Sequence, residues 1–371
     1  MRDFRTDRFT DFVRGVALGD SLGMLGENLH PRQVAKLYRG DIRQKMPFGR
    51  GFVSDETEQV FLTARALCRR SRYLPLRISF RRELLCWLST MPIGAGSSTV
   101  RSCLSIALMS RLRLATSLAP GGPSKGNGPL LRAATIGLLL ETDNIDQAAA
   151  WTTLLTHTSL EAVTCSVIVA RIFNQLTRPE QLPAALSPDL FREATIFARC
   201  ALRVSHSDYG WQEQIAPFVA SLEPAFAIMD LVHDGELTVD EGLGRLGSGD
   251  GVSGHVTQTL TAALLIAVRH RDDVNAAADA AIRAGGDTDS VAALACGLVA
   301  TAAWVPQEYS RLKLWRDPYA VSAASPPSGE ALLAAVARRR HRLGMLAEHL
   351  ALMFVAGPFF LSSRALARWG W

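Results

Sequence analysis

A chain of 371 residues, 48% hydrophobic and 20% charged, can bury a large core, which excludes a disordered tail, a collagen-like fibre and a disulfide mini-protein. Its net charge of +5 is compatible with an anionic ligand and falls far short of a nucleic-acid-binding run. Six widely spaced cysteines (Cys68, Cys86, Cys103, Cys165, Cys200, Cys296), mostly inside apolar segments and without CxxC or zinc spacing, read as buried free thiols. With no apolar leader after the charged start, a reducing cytoplasm is the expected compartment.

Taken in chain order, Val60, Phe61, Ala64, Leu67 and Cys68 fall at helical spacing and predict a helix that begins near Glu58. Gly94-Ala-Gly-Ser-Ser and Pro120-Gly-Gly-Pro-Ser-Lys-Gly-Asn-Gly mark loops. His157, following Leu154, Leu155 and Thr156, reads as part of a helical stretch, where such a histidine is usually a hydrogen-bonded core residue. Gly247-Ser-Gly-Asp-Gly-Val-Ser-Gly is a further loop, and the Ala-rich runs 258–268 and 291–303 are again helix-like. Alternating runs of period two are nearly absent, so the fold is expected to be all-α. Ala323-Ala-Ser-Pro-Pro-Ser-Gly then separates the body from a basic, helix-like tail, which suggests a main domain over 1–320 and a helical extension over 321–371 packed on it. The apolar run 350–361 is shorter than the roughly 20 residues of a membrane span. A packed terminal helix is expected there; the competing reading, interfacial membrane contact, rests on the flanking arginines and on Trp369 and Trp371.

Two acidic clusters stand at predicted helix starts. Ser54-Asp55-Glu56-Thr57 reads as a cap, with Ser54 accepting a backbone N–H and the acids favouring the positive end of the helix dipole. Gly285-Gly286-Asp287-Thr288-Asp289-Ser290 also precedes an apolar helix, but capping needs one small polar residue and not alternating aspartates. If the two helix ends meet, Ser54, Asp55, Glu56, Asp287, Asp289 and Ser290 provide six hard oxygen side chains and no His or Cys. That set suits Mg²⁺ or Mn²⁺ rather than zinc. Two such ions can hold substrate hydroxyls and lower the pKa of a bound water, as binuclear hydrolytic sites do. On the residues alone, capping and metal ligation both stay open.

With these pieces in hand the chain resembles the ADP-ribosylglycohydrolases. Gly19-Asp20-Ser21-Leu22-Gly23 is similar to the family's GDALG, Ser54-Asp55-Glu56-Thr57 to its SDDT, and Gly126-Asn127-Gly128-Pro129-Leu130-Leu131-Arg132 to its GNGxxMR segment. Leu155-Thr156-His157-Thr158, Ser253-Gly254-His255-Val256 and Gly286-Asp287-Thr288-Asp289-Ser290 (for GDTDT) complete the series. Each piece is weak alone; their order along the chain is specific.

The resemblance implies a compact orthogonal helical bundle with a central binuclear metal cleft. It implies hydrolysis of the bond joining ADP-ribose to an acceptor, with arginine on protein as the commonest bacterial target. It makes Ser54, Asp55, Glu56, Asp287, Asp289 and Ser290 the ligands of two Mg²⁺ or Mn²⁺ ions, and puts Glu27 at the family's mobile acidic position near the scissile bond. Glu27 or Asp55 then activates the attacking water. Gly94, Gly96, Ser97, Gly126, Asn127 and Gly128 are implied to surround phosphates and ribose, with His157 in contact. Asp20 either braces the site or touches substrate, and Arg132 either pairs with a phosphate or makes a structural ion pair. Two positions depart from the pattern: Glu56 replaces the second Asp, and Ser290 replaces the final Thr. Both keep an oxygen ligand, but the longer Glu arm can displace a metal. A weak or inactive ADP-ribose-binding protein is therefore an alternative, as is a hydrolase of a serine, nucleic-acid or small-metabolite linkage. A monomer without nucleic-acid or membrane contacts is expected.

Overall fold

The structure is a computed structural model that describes residues 4–71, 75–111, 121–140, 144–177, 186–205, 210–303 and 305–338, and from the C-terminal stretch 346–347, 349–354, 358, 361 and 365. Among the described residues there are sixteen α-helices and no β-strand, and pairing between loops is limited to isolated bridges. The all-α expectation holds.

The central pair is Phe4–Gly23 against Thr288–Ala302. Gly15, Gly19 and Gly23 recur every fourth residue and so form one bare stripe along the first helix. A Cβ at Gly19 would lie 2.2 Å from the Ala292 carbonyl oxygen, and one at Gly15 2.4 Å from that of Cys296. From the opposite side, Gly297 leaves room for Val16 and Phe12. The backbones therefore touch, and the end of the first helix is pinned beside the start of the other. Thr288 adds a lock by donating to the Gly23 carbonyl at 2.7 Å.

Around this pair the Ala- and Leu-rich helices Leu130–Leu139, Leu160–Gln175 and Val256–Arg269 are buried over most of their length. Phe12 packs edge-on to Phe173 with ring centroids 5.0 Å apart. A smaller apolar cluster of Leu62, Phe80, Leu84, Trp87, Cys103 and Ile106 joins Asp55–Arg69, Leu76–Leu88 and Ser97–Arg111. Gly329–Ala337 packs on both Phe4–Gly23 and Asp55–Arg69.

Three expectations change. The helix predicted from Glu58 begins at Asp55, because Ser54 caps it by accepting the Glu56 N–H at 3.2 Å; Asp55 and Glu56 thus lie in its first turn. All six thiols are free, but only Cys103, Cys165 and Cys296 are buried, and Cys68 and Cys200 are exposed on the outer faces of their helices. Among the described residues one segment, 212–233, is apolar and long enough to cross a membrane, a stretch that the sequence had not singled out. It is divided into Gln212–Ala220 and Glu223–His233, which pack against Pro188–Ser205, the second also against Val256–Arg269, as core helices do. Much of 350–361 lies outside the described residues; Phe354 and Leu361 are exposed.

Candidate active site

Four loops meet where the central helices end and begin. The Asn28 N–H donates to the Gly286 carbonyl at 2.6 Å, and the Gly286 N–H donates back to Leu29 at 2.8 Å. On the other side, Asp287 N–H reaches the Val252 carbonyl at 2.7 Å, and Asn127 N–H reaches that of Gly254 at 3.1 Å. Gly286 has φ +79°, and a Cβ there would lie 2.0 Å from the Val252 oxygen, so glycine is required on both grounds. This lacing carries Glu27, Asp287, Asn127 and the 253–255 turn to one point from distant parts of the chain.

The helix Asp55–Arg69 presents its first turn to the same point. Asp20, fully buried on the first helix, accepts the Ser54 N–H at 3.0 Å, the Thr57 N–H at 3.1 Å and the Thr57 hydroxyl at 2.5 Å. It braces the turn. Burial nevertheless pushes its pKa up to about 6, against the pull of those donors.

The acids themselves are buried together. Asp55, Glu56 and Asp289 are each held well above the usual carboxylate range, first by burial and then by neighbouring acids: Asp20, Glu58, Asp287 and Glu27 for Asp55; Asp55, Asp287 and Asp20 for Glu56; Asp287, Glu27 and Glu56 for Asp289. Among the described residues none of Asp55, Glu56, Asp287 or Asp289 has an ion-pair partner. Asp287 makes no side-chain cap at its own helix, so the capping reading fails there while it holds for Ser54. Its Oδ2 instead accepts from Asn127 Nδ2 at 2.8 Å, and Asn127 is fixed by Thr259 at the same distance. The two departures from the family pattern face each other: Ser290 Oγ donates to Glu56 Oε1 at 2.5 Å.

Two glycines leave room at the carboxylates. A Cβ at Gly94 would stand 2.7 Å from Asp55 Oδ1, and one at Gly254 2.8 Å from Asp287 Oδ2. Oxygen-only donors, buried and crowded with negative charge, fit a hard divalent cation. Among the described residues no three His, Cys, Asp or Glu side chains form a ready-made cage. The acids are neighbours set by two helix starts, with Glu56 and Asp287 each turned to a protein donor.

Of the remaining expected residues, His157 is buried below the glycine loop: a Cβ at Gly126 would be 3.2 Å from its Nε2 and one at Gly128 3.7 Å from its Cε1. It sits in the turn after Ile145–Leu154 and not in a helix, because the Thr156 and His157 N–H groups both turn back to the Thr153 carbonyl. Gly96 and Ser97 are exposed and make no contact with the acids. Arg132 is fully buried, with no surface open to a phosphate, and has no ion pair among the described residues; it donates to Thr156 Oγ1 at 2.6 Å. Thr259 and Val252 escaped notice in the sequence. Thr259 lies one turn beyond His255, which caps Val256–Arg269, and that spacing was the one available signal.

The structure is an all-α bundle with a cluster of acids at two helix starts, and the comparisons place it in a family. The ADP-ribosylglycohydrolase family model matches residues 1–340, and the chain belongs to that family. Family members act on ADP-ribosylated substrates and generally use a divalent metal. The chain is 25% identical over 313 residues to the uncharacterized protein YegU of Escherichia coli, covering 79% of this chain and 87% of that one. It is 27% identical over 172 residues to an uncharacterized protein of Archaeoglobus fulgidus, covering 44% of this chain and 54% of the other. In fold it is similar to a solved ADP-ribosylglycohydrolase-related protein complex, with TM-score 0.56 and 22% identity over 91% of this chain and 99% of that chain.

Proposed function

We propose that the protein is a metal-dependent hydrolase that cleaves the glycosidic bond between ADP-ribose and an acceptor, the acceptor being arginine on a modified protein. The observation that supports this most is the group of buried carboxylates from two helix starts, none of them ion-paired among the described residues. Ser54, Asp55, Glu56, Asp287, Asp289 and Ser290 would hold two Mg²⁺ or Mn²⁺ ions. Bound there, the ions neutralise the acids and polarise ribose hydroxyls and water.

The chain's own residues do the rest. Departure of the acceptor develops oxocarbenium-like positive charge on the ribose, which the carboxylate of Glu27, not counted among the metal ligands, stabilises. Glu27 or Asp55 accepts the proton of the attacking water. Backbone N–H groups of the loops at Gly94 and Gly126–Gly128 surround the phosphates and ribose, and His157 supports the second loop from below. Asp20 and Asn127 hold the acids in place. The reading takes the residues beyond about 320 as an extension packed on the main domain, and the protein as a cytoplasmic monomer with no nucleic-acid partner.

A second reading, an ADP-ribose-binding protein with weak or no turnover, is favoured by the Glu56–Ser290 contact, which occupies two expected metal ligands with each other. Turnover on arginine-modified protein, serine-modified protein and modified nucleic-acid ends, measured with Mn²⁺ at equal concentration, separates these readings. Fastest release from arginine supports the first, and ADP-ribose binding without release from any acceptor replaces it with the second.

A further inference from the structure

Arg132 is the largest side chain that is wholly buried, and its charge is poorly met. Its Nη2 donates to Thr156 Oγ1 at 2.6 Å, whereas its Nε and Nη1 find no acceptor among the described residues. Its flat face lies 5.6 Å from the Phe80 ring centre. A buried guanidinium without a carboxylate partner carries a large desolvation penalty, so a reason for keeping it there is to be sought in what it acts upon.

Thr156 supplies that reason. Its single hydroxyl proton has two acceptors in reach, His157 Nδ1 at 2.8 Å and the Thr153 carbonyl at 3.3 Å, and the oxygen already accepts from Arg132. Donation from the Arg132 cation makes the Thr156 hydroxyl a better donor and a poorer acceptor of a second bond, and the imidazole nitrogen is the nearer and more basic of its two acceptors. This directs the hydroxyl proton to His157 Nδ1 and leaves the ring proton on Nε2. Nε2 is the atom that faces Gly126. The cation behind the relay opposes a second proton on the ring: burial first and Arg132 second hold the His157 pKa down to about 3. Asp55 and Glu56 act on Arg132 from the acidic cluster and favour its charged form. Burial keeps the Cys103 thiol protonated, with its pKa pushed up to about 12, and Lys125 is paired with Glu161 at 2.7 Å.

We propose that Arg132 is a positioning residue that, through Thr156, locks His157 as a neutral donor whose Nε2–H points at the Gly126–Gly128 loop. This rests on the reading above that the loop holds ADP-ribose, for which Nε2–H offers one hydrogen bond to a ribose or phosphate oxygen. Nothing in the relay needs a metal ion.

Long-range ¹H–¹⁵N spectra of the full chain read the His157 tautomer directly. The expected result is Nε2–H, unchanged from pH 5 to 8, in the wild type and in Thr156→Ser. Thr156→Val, which keeps the shape and removes the hydroxyl, mixes or reverses the tautomer and weakens ADP-ribose binding about tenfold, with Mn²⁺ affinity unchanged. Arg132→Met eases the second protonation of His157 while burial still opposes it, and removes the donor that polarises Thr156, so the tautomer mixes. A His157 that titrates between pH 5 and 8 in the wild type, or a Thr156→Val protein with unaltered tautomer, overturns the proposal. A wild-type protein that fails to bind ADP-ribose counts against the functional reading, while the tautomer still decides the relay.

Discussion

The helix Asp55–Arg69 carries acidic residues toward two different surroundings. On one side, Asp55 and Glu56 join Asp289 in a buried group whose carboxyls are held above their ordinary pKa and have no ion-pair partner among the described residues. On the other side, Glu83 comes across to meet Arg69 at 2.5 Å and Arg65 at 3.3 Å. There Glu58 accepts from the Trp87 indole and from His349, both at 2.7 Å, beside a cavity of about 100 Å³ lined by Phe61, Trp87 and Tyr319. Both groups are acidic and sheltered. Among the described residues only the first has no ion-pair partner, the cation acting on it being the buried Arg132, while the second is met directly by arginine and histidine side chains.

The largest break in this contrast comes from Asp287→Ala. Losing a carboxylate from the unpaired group is expected to lower turnover by at least about a thousandfold, close to the loss of a site that acts as a unit, while Glu58→Gln leaves it within roughly an order of magnitude. Steady-state release of ADP-ribose checks both.

Next in size is Glu83→Gln. It strands Arg65 and Arg69, whose other bonds run to Tyr319 and to the carbonyls of Val336 and Ala337, and should cost about 3 kcal/mol in urea unfolding. Mn²⁺ affinity should not change, since Glu83 is not among the groups that act on Asp55, Glu56 or Asp289.

The paired and unpaired groups also differ in how a cation rescues them. Because Asp55, Glu56 and Asp289 have raised pKa values when folded, the folded state binds more protons than the unfolded one above pH 4. Their contribution therefore falls as pH rises. Mn²⁺ should raise the melting temperature by several degrees at pH 8 and by less at pH 5.5; equal shifts at both pH values would show that the ion binds elsewhere.

The smallest effect belongs to His349. Burial opposes its protonation, but Glu58 and the Thr90 carbonyl outweigh it and hold its pKa above the usual value. Its stabilisation is full below the unfolded pKa of about 6.5 and fades as pH rises through the folded one. His349→Gln should cost about 1 kcal/mol at pH 6 and less at pH 9, by thermal melts in each buffer.

How far these features could be read beforehand depended on whether they were local. Helical spacing at Val60–Cys68 and the Ala-rich runs disclosed an all-α chain, and both acidic clusters were visible because each is contiguous. Glycine-rich composition marks the loops at Gly94 and 126–128, but their part in the site, like that of Glu27, comes from family resemblance, since a loop's composition does not say what it faces. The Asn127–Asp287 bond spans 160 residues and Glu56–Ser290 spans 234, so no local pattern encodes them. The second pairing also recasts the two departures from the family motif as one exchange: a longer acid meets a hydroxyl that has lost its methyl. His157 was misplaced because Leu154-Leu155-Thr156 is apolar enough to pass as helix, while a backbone turn at Thr153 ends it. Arg132 offered a phosphate partner or an ion pair in sequence, and its link to Thr156 becomes visible only when the helix Leu130–Leu139 packs beside the 155–159 turn.

The central claim is that the unpaired carboxylates hold the ions of an ADP-ribosyl hydrolase. Release of ADP-ribose from an arginine-modified protein, followed with Mg²⁺ or Mn²⁺, with chelator, and with Asp287→Ala, tests it most directly. The account predicts release that is abolished by chelator and by Asp287→Ala and restored by returning the metal to the wild type. Release that continues undiminished in chelator would contradict it.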